Sequence, residues 1–321
     1  MSPRPHAIGI VVPTYNRCDA LVECLQRLER QTCKDFEVVI VDDGSTDATA
    51  QRISEYLSAS SLTIRYVKQR NSGPAKARNA GIALLNSPIC LLIGDDIFAS
   101  ATLVENHLEF HRTYPNLNAA ALGWTKWSRE GQTITPFMRW LGENPAQFDY
   151  KSLLSGKKAD WRHFYTSNLS VKTELLRRFP FDERFPYAAM EDCELGYRIE
   201  KTIGLEVRFV PDAVAFHLHP TTFLQACKRM VRVGQSTRIL HEVWPELARP
   251  SLTPYKRATT AILKQIARNR PLTDGIVKLA DEFTKIACPN PLMRAALRCN
   301  YLIGYAQHSY RQNERAAEPI I

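Results

Sequence analysis

Two adjacent carboxylates, Asp95 and Asp96, follow the apolar run Ile89–Ile93. A short, continuous apolar run after Pro88 predicts a buried strand, and ligands of open α/β sheets bind at the carboxyl ends of the strands. Neighbouring carboxylates repel each other and need a cation, and oxygen ligands suit Mg²⁺ or Mn²⁺ that bridges to substrate phosphates. An Asp-Asp pair by itself is more often an exposed turn or a helix N-cap, so the metal hypothesis depends on the neighbouring motifs.

Two polar turns stand upstream, each after an apolar strand. The first, Pro13–Arg17, presents polar groups at the predicted sheet edge. The second contains Asp43 and Gly44, where glycine permits a tight turn and the carboxylate can accept hydrogen bonds from a base or a ribose. Taken alone, Asp43 is better explained by turn chemistry and helix-dipole compensation.

A third polar segment opens a predicted helix that carries Lys76 and Arg78 in its first turns. Free backbone N–H groups and two cations at a helix start form a candidate anion site. A solvated basic helix face is the alternative.

A second acidic pair, Glu191 and Asp192, precedes a helix that we predict over Cys193–Ile199. Helix capping is a good alternative explanation for such a pair. Further on, His217 and His219 alternate on an extended segment, so their side chains are expected on opposite faces and only one should reach a given site. Neutral imidazole is a plausible Mn²⁺ ligand, although a satisfied surface or core histidine is commoner.

Alternating strand and helix patterns are expected to position these residues. The pattern predicts strands over 7–12, 36–41, 62–67 and 89–93, and helices over 17–30 and 75–85, with another helix opening at Ser45 or Thr46 as its N-cap. This order predicts an α/β fold with a mainly parallel sheet, covered by helices on both faces through right-handed crossovers. From Thr222 onward the chain is predicted to be mostly helical and basic.

Four strings at strand ends, PTYNR, VDDGSTD, GPAKARNAG and IGDD, together resemble the family 2 glycosyltransferases of GT-A fold. The resemblance covers residues 7 to about 220. It implies a Rossmann-like GT-A domain over 1–221, with a nucleotide-sugar half (1–98) and an acceptor and catalytic-base half (99–221), followed by a helical extension over 222–321. It also implies a nucleotide-diphosphate sugar donor, most simply a UDP-sugar, and Mn²⁺ or Mg²⁺ as cofactor.

The resemblance assigns expected roles on the donor side. The family often has Asp at the position of Gly94, so the metal role falls chiefly on Asp96, with His217 completing the metal shell and His219 as the alternate. Positive charge beside the diphosphate is expected from Lys76. The remaining expected nucleotide contacts are Pro13, Thr14, Tyr15, Asp43, Arg78 and Asp95.

On the acceptor side, residues 166–171 and 181–185 resemble the family's acceptor segment, and Asp192 is the implied catalytic base of an inverting transfer. Asn168, Glu191 and Trp161 are expected near the acceptor. No Gln-x-x-Arg-Trp string follows the base, which favours a single-addition hexosyl- or related transferase in cell-surface polysaccharide or glycolipid synthesis. The acceptor is expected to be a sugar, lipid-linked or other hydroxyl.

Two rival functions remain open at this point. A nucleotidyltransferase would share the α/β domain and the acidic site, but normally shows a glycine-rich phosphate loop after the first strand, which PTYNR does not supply. A non-catalytic nucleotide-sugar-binding module would be expected to lose Asp96 or Asp192, and both are present.

Composition indicates which classes of partner the chain is expected to bind. The formal net charge is +9 without a basic block of five residues, which favours phosphate-bearing substrates and a membrane surface over nucleic acid. The chain has eight cysteines and no Cys-x-x-Cys pair, which predicts free thiols in a reducing cytoplasm. The polar segment Met1–His6 predicts no signal peptide, and the lack of an apolar stretch near 20 residues predicts no membrane span. The basic C-terminal helices are expected to contact the inner membrane face peripherally, to pack on the catalytic domain or to form a homodimer.

Overall fold

The structure is a computed structural model that describes residues 4–143, 148–248 and 254–307, and side chains from 257 onward in the last range. The chain divides into two compact units, Met1–Thr222 and Phe223–Ile321. Every residue assigned to the candidate site from the sequence lies in the first unit.

One eight-stranded sheet forms the centre of the first unit, in the order β3-β2-β1-β4-β7-β6-β8-β5. The strands are β1 (Ile8–Thr14), β2 (Phe36–Asp42), β3 (Thr63–Lys68), β4 (Ile89–Ile93), β5 (Ile97–Ala99), β6 (Ala119–Trp127), β7 (Asn168–Lys172) and β8 (Glu206–His217). The first four strands of this order are parallel, and so is the β6–β8 pair. The β4–β7, β6–β7 and β5–β8 pairs are antiparallel.

Helices cover both faces of this sheet. They are α1 (Cys18–Glu29), α2 (Thr49–Ala59), α3 (Pro74–Leu84), α4 (Leu103–Thr113), α5 (Pro136–Gly142), α6 (Tyr150–Leu154), α7 (Thr173–Arg178) and α8 (Glu191–Ile203). Side chains of β1 alternate between two cores: Ile8, Ile10 and Val12 pack with α1, α2 and α4, whereas Val11 packs with α3, α7 and α8. The predicted α/β architecture, with a mainly parallel sheet covered by helices on both faces, is confirmed.

Two predicted helix starts were wrong. Helix α2 begins at Thr49, because Ser45 and Thr46 serve the preceding turn: Ser45 N–H donates to Asp42 Oδ1 at 2.7 Å and Thr46 N–H donates to Asn16 Oδ1 at 2.8 Å. Helix α8 begins at Glu191, two residues before its predicted start. Its acidic first turn, Glu191–Glu194, complements the positive end of the helix dipole.

The second unit is helical, as predicted, with α9 (Phe223–Val243), α10 (Pro254–Arg268), α11 (Arg270–Ile286) and α12 (Pro291–Gln307). Helices α9 and α12 approach closely through glycines, since a Cβ on Gly304 would lie 1.9 Å from the carbonyl oxygen of Val231. Among the described residues, none of the helices is both long and apolar enough to cross a bilayer.

Candidate active site

Asp95 and Asp96 follow β4 at the edge where the parallel strands β1 and β2 also end. Asp95 is buried, and its Oδ2 accepts a hydrogen bond from Thr14 Oγ1 at 2.8 Å. The guanidinium of Arg17 contacts both carboxylates, with Nη1 lying 3.1 Å from Asp95 Oδ1 and 2.6 Å from Asp96 Oδ2. Arg17 was not assigned a role from the sequence, although its place in PTYNR at the end of β1 was the available signal.

Both histidines reach Asp96, so the expectation that only one could do so was wrong. His217 Nε2 and His219 Nδ1 each lie 3.4 Å from Asp96 Oδ2. The alternation of a strand does not extend to His219, because β8 ends at His217 and the two rings stack at 5.3 Å. The ring of Trp127 stacks on His217 at 5.2 Å and fixes its plane.

The two carboxyl groups of this site differ in proton affinity. Burial, together with the neighbouring Asp96 charge, raises the pKa of Asp95 to about 6. Burial also acts on Asp96, but His217, His219 and Arg17 outweigh it and hold the pKa of Asp96 well below its ordinary value. Asp96 is therefore the carboxylate that stays ionised and suits a cation.

The donor atoms around Asp96 fit a divalent cation. One carboxylate oxygen and two imidazole nitrogens, from Asp96, His217 and His219, lie within 4.8 Å of one another. Imidazole is a poorer ligand for Mg²⁺, which prefers oxygen, than for Mn²⁺ or other transition metals. The donor set therefore fits a divalent cation that accepts both oxygen and nitrogen ligands.

The turns after β1 and β2 are tied together by Asn16. Its backbone is left-handed, with φ of 53°, an uncommon conformation outside glycine. Its Oδ1 accepts from Thr46 N–H, and its own N–H donates to Ser45 Oγ at 2.9 Å. These bonds fix the edge on which Tyr15 stands, with 39 % of Tyr15 exposed. Pro13 is partly buried within β1.

Asp43 fastens the loop before α3. Its carboxylate accepts hydrogen bonds from Gln69 Nε2 at 2.7 Å, Ser72 N–H at 2.9 Å and Gly73 N–H at 2.8 Å. Gly73 adopts φ of +90°, which the loop requires for these donors to converge. The protein thus occupies three of the roughly four acceptor sites of the Asp43 carboxylate, and the expected contact with a base or ribose stays a prediction.

Arg78 and Lys76 diverge, although they are two residues apart on α3. Lys76 is exposed. Arg78 is buried and its Nη1 donates to Glu191 Oε1 at 2.8 Å, while its guanidinium lies over the ring of Phe181. The next residue, Asn79, exchanges two 2.9 Å hydrogen bonds with the backbone of Phe181. Arg78 therefore binds the segment that carries Asp192 and is not part of a solvated basic helix face.

Asp192 is partly exposed at the start of α8, where its Oδ1 accepts from Cys193 N–H at 2.8 Å. Burial raises the pKa of Asp192 above its ordinary value, and the Arg78 charge opposes that shift. Burial and the Asp192 charge raise the pKa of Glu191 to about 7. Met190, just before the pair, has a left-handed φ of 69°, and strain of this kind clusters at functional sites.

The two remaining acceptor-side residues lie in different environments. Asn168 is buried, and its amide bonds the carbonyl of Ala213 at 2.9 Å and Nε2 of His107 at 2.8 Å. It holds strands and helix α4 together, so the expected acceptor contact is replaced by an internal role. Trp161 is partly exposed, packs its ring against Tyr197 of α8 at 5.0 Å and donates its backbone N–H to Glu200 of the same helix at 3.3 Å.

The chain is similar to known proteins of one family. The family model described as "Glycosyl transferase family 2" matches residues 9–182. The chain is 30% identical over 227 residues to validoxylamine A glucosyltransferase of Streptomyces hygroscopicus subsp. jinggangensis, covering 60% of this chain and 51% of that protein. It is 28% identical to chondroitin synthase of Escherichia coli, covering 66% of this chain and 35% of that protein. The chain thus spans about half or less of the length of these relatives.

Solved structures show the same fold. The mannosyltransferase PcManGT of Pyrobaculum calidifontis, in complex with GDP-Man and Mn²⁺, superposes with a TM-score of 0.60 at 17% identity, covering 95% of this chain and 87% of that chain. TarS 1-349 of S. aureus, in complex with UDP-GlcNAc, superposes with a TM-score of 0.53 at 16% identity, covering 95% and 93%.

Proposed function

The chain belongs to glycosyl transferase family 2, and we propose that it moves a sugar from a nucleotide-diphosphate sugar to an acceptor hydroxyl. The observation that carries the proposal is the cluster of Asp96, His217 and His219 at the carboxyl edge of the parallel strands. Ligands of α/β sheets bind at that edge. A UDP-sugar is the proposed donor, and GDP-sugars belong in the test because PcManGT was solved with GDP-Man.

The donor side offers two exposed groups of suitable chemistry. The Tyr15 ring can stack on a nucleobase, and the Lys76 ammonium can neutralise a phosphate. Thr14 and Arg17 hold the Asp95 carboxylate from two sides. A bound Mn²⁺ or Mg²⁺ at Asp96, His217 and His219 supplies positive charge that stabilises a diphosphate leaving group.

Asp192 is the proposed general base. The acceptor oxygen attacks the anomeric carbon from the face opposite the diphosphate, and the bond from that carbon to the diphosphate breaks. The hydroxyl proton passes to Asp192. This single displacement inverts the anomeric configuration. A pKa raised by burial improves a carboxylate as a base near neutral pH. Glu191, buried and bound to Arg78, holds the start of α8 and hence Asp192 in place.

The acceptor and setting are proposed more broadly. Trp161 beside α8 offers an aromatic face to an acceptor sugar. The proposed role is the addition of one sugar to a sugar or lipid-linked hydroxyl, in cell-surface polysaccharide or glycolipid synthesis. A nucleotidyltransferase is not favoured, because the named relatives are glycosyltransferases. A non-catalytic module is not favoured either, because both Asp96 and Asp192 are retained.

A donor panel tests the proposal. UDP- and GDP-sugars are incubated with the protein and Mn²⁺, Mg²⁺ or a chelator, and released nucleoside diphosphate is measured. We expect metal-dependent release from one donor class, lowered about 10²- to 10⁴-fold in Asp192→Asn. Asp212→Asn, an exposed carboxylate of the same unit, is the matched control and should keep full activity. Equal release by Asp192→Asn and the wild type would refute the base assignment.

A further inference from the structure

Helix α11 exposes a stripe of large apolar side chains. Their spacing of four, three, four and three residues places them on one face of a helix. The stripe consists of Leu272, Ile276, Leu279, Phe283 and Ile286. Four of the five are between 46% and 86% exposed, and Ile276 is half-buried.

The same helix buries small residues instead. Thr273, Ala280 and Thr284 are the side chains of α11 that are buried in its own unit. Of the nine large apolar side chains exposed in the described part of the chain, five lie between Ile262 and Ile286. Leaving such a patch in water costs free energy, and patches of this kind mark interaction surfaces.

Charge indicates which partner covers the stripe. Residues 223–321 contain sixteen Lys and Arg against seven Asp and Glu, whereas residues 1–222 contain twenty-six of each. The chain's whole net charge of +9 therefore lies in the second unit. Helix α10, next to α11 in sequence, contains basic residues and no acidic one.

We propose that the α11 stripe is a peripheral contact with an anionic lipid bilayer. The apolar side chains enter the boundary between headgroups and acyl chains, while the basic side chains of the second unit attract the lipid phosphates. A second copy of the chain would bring two units of high positive charge together, which electrostatics disfavours. The proposal is independent of the glycosyl-transfer function.

Vesicle flotation of the full chain tests the contact. Wild-type protein should float with vesicles of phosphatidylcholine and phosphatidylglycerol at low salt, and much less with phosphatidylcholine alone or at high salt. Leu279→Gln/Phe283→Gln should lower vesicle partition about tenfold or more, since two apolar anchors are lost. Leu154→Gln, an exposed apolar residue of the first unit, should float like the wild type.

Three results would overturn the proposal. The first is that the wild type does not float at low salt, and the second is that the double variant floats as well as the wild type. The third is that the wild type is a dimer, the double variant is a monomer and neither binds vesicles. The altered side chains are exposed, so thermal unfolding of each variant should match the wild type, and flotation is then compared between folded proteins.

Discussion

At the scale of single residues, Arg17 is the side chain that occupies the proposed metal site. Its guanidinium contacts Asp96 Oδ2, the oxygen that both histidines also face. A cation entering this cluster must compete with Arg17 for the carboxylate. Because 42% of the Arg17 side chain is exposed, it can turn away toward a bound diphosphate.

We predict that Arg17→Gln binds Mn²⁺ more tightly than the wild type when no nucleotide is present. A charge-assisted hydrogen bond is worth about 1.5–3 kcal/mol, so the gain should be about tenfold or more. Titration of Mn²⁺ by electron paramagnetic resonance measures the affinity, with Arg52→Gln, an arginine of α2 whose side chain is 46% exposed, as control. Unchanged or weaker Mn²⁺ binding by Arg17→Gln would contradict the competition.

Arg78 and Lys76 form a matched pair for a second prediction. Arg78→Gln should lower kcat with little change in donor KM, and should move the acidic limb of the pH profile to higher pH. The reason is that the Arg78 charge lowers the pKa of Asp192, so its removal lets that pKa rise. Lys76→Gln should instead raise donor KM. Steady-state kinetics over a pH range distinguishes the two effects. A rise in donor KM in Arg78→Gln but not in Lys76→Gln would contradict both predictions.

Among these residues, the carboxylates were predictable and their partners were not. Asp95 and Asp96 directly follow an apolar run, so their position at the sheet edge follows from the local pattern. The contact of Arg78 with Glu191 joins residues 113 positions apart, and no local spacing indicates it. His219 was misjudged because strand alternation holds only as long as the strand continues, and β8 ends at His217.

At the scale of elements, a buried hydrogen-bond network joins α4 to β7. Asn168 Nδ2 donates to the Ala213 carbonyl, so Asn168 Oδ1 accepts from His107 Nε2. His107 Nδ1 then accepts from Ser170 Oγ, which in turn accepts from His111 Nε2. Burial lowers the pKa of His107 to about 4 and that of His111 to about 3, so both rings are neutral.

The two buried neutral histidines predict that the fold is destabilised by acid. Below the ordinary histidine pKa of 6.5 the unfolded chain binds protons that the native state rejects, so the free energy of unfolding falls as pH falls. For His107 the loss between pH 7 and pH 5 is about 2 kcal/mol. Urea unfolding at both pH values should show a smaller loss in His107→Gln than in the wild type. Equal losses would contradict the neutral-histidine assignment.

The α9–α12 pair gives an element-scale prediction with an internal control. Gly304→Ala should destabilise the second unit by about 2 kcal/mol or more, because its Cβ would overlap the Val231 carbonyl at 1.9 Å. Gly275→Ala on α11, where a Cβ meets nothing within 4 Å, should stabilise by about 0.5–1 kcal/mol. Thermal unfolding ranks the two variants, and a stabilised Gly304→Ala would show that the helices are not packed so closely.

At the scale of the whole molecule, the two units differ in charge and in chemistry. The first unit holds the candidate site and has no net charge, whereas the second holds the basic residues and the exposed stripe of α11. The fold of the first unit was predictable, because strand-end motifs and alternating patterns agree along 7–95. The outward-facing stripe of α11 was not, because periodicity identifies an apolar face without telling which face of the helix is buried.

The most direct test of the proposed function is calorimetric titration of UDP into the protein with and without Mn²⁺. We predict that Mn²⁺ strengthens UDP binding to the wild type and that Asp96→Asn loses this enhancement, because Asp96 is the ionised carboxylate of the three-donor cluster. Asp192→Asn should keep the enhancement. If Asp96→Asn bound UDP with the same Mn²⁺ dependence as the wild type, the metal–diphosphate site assigned here would be wrong.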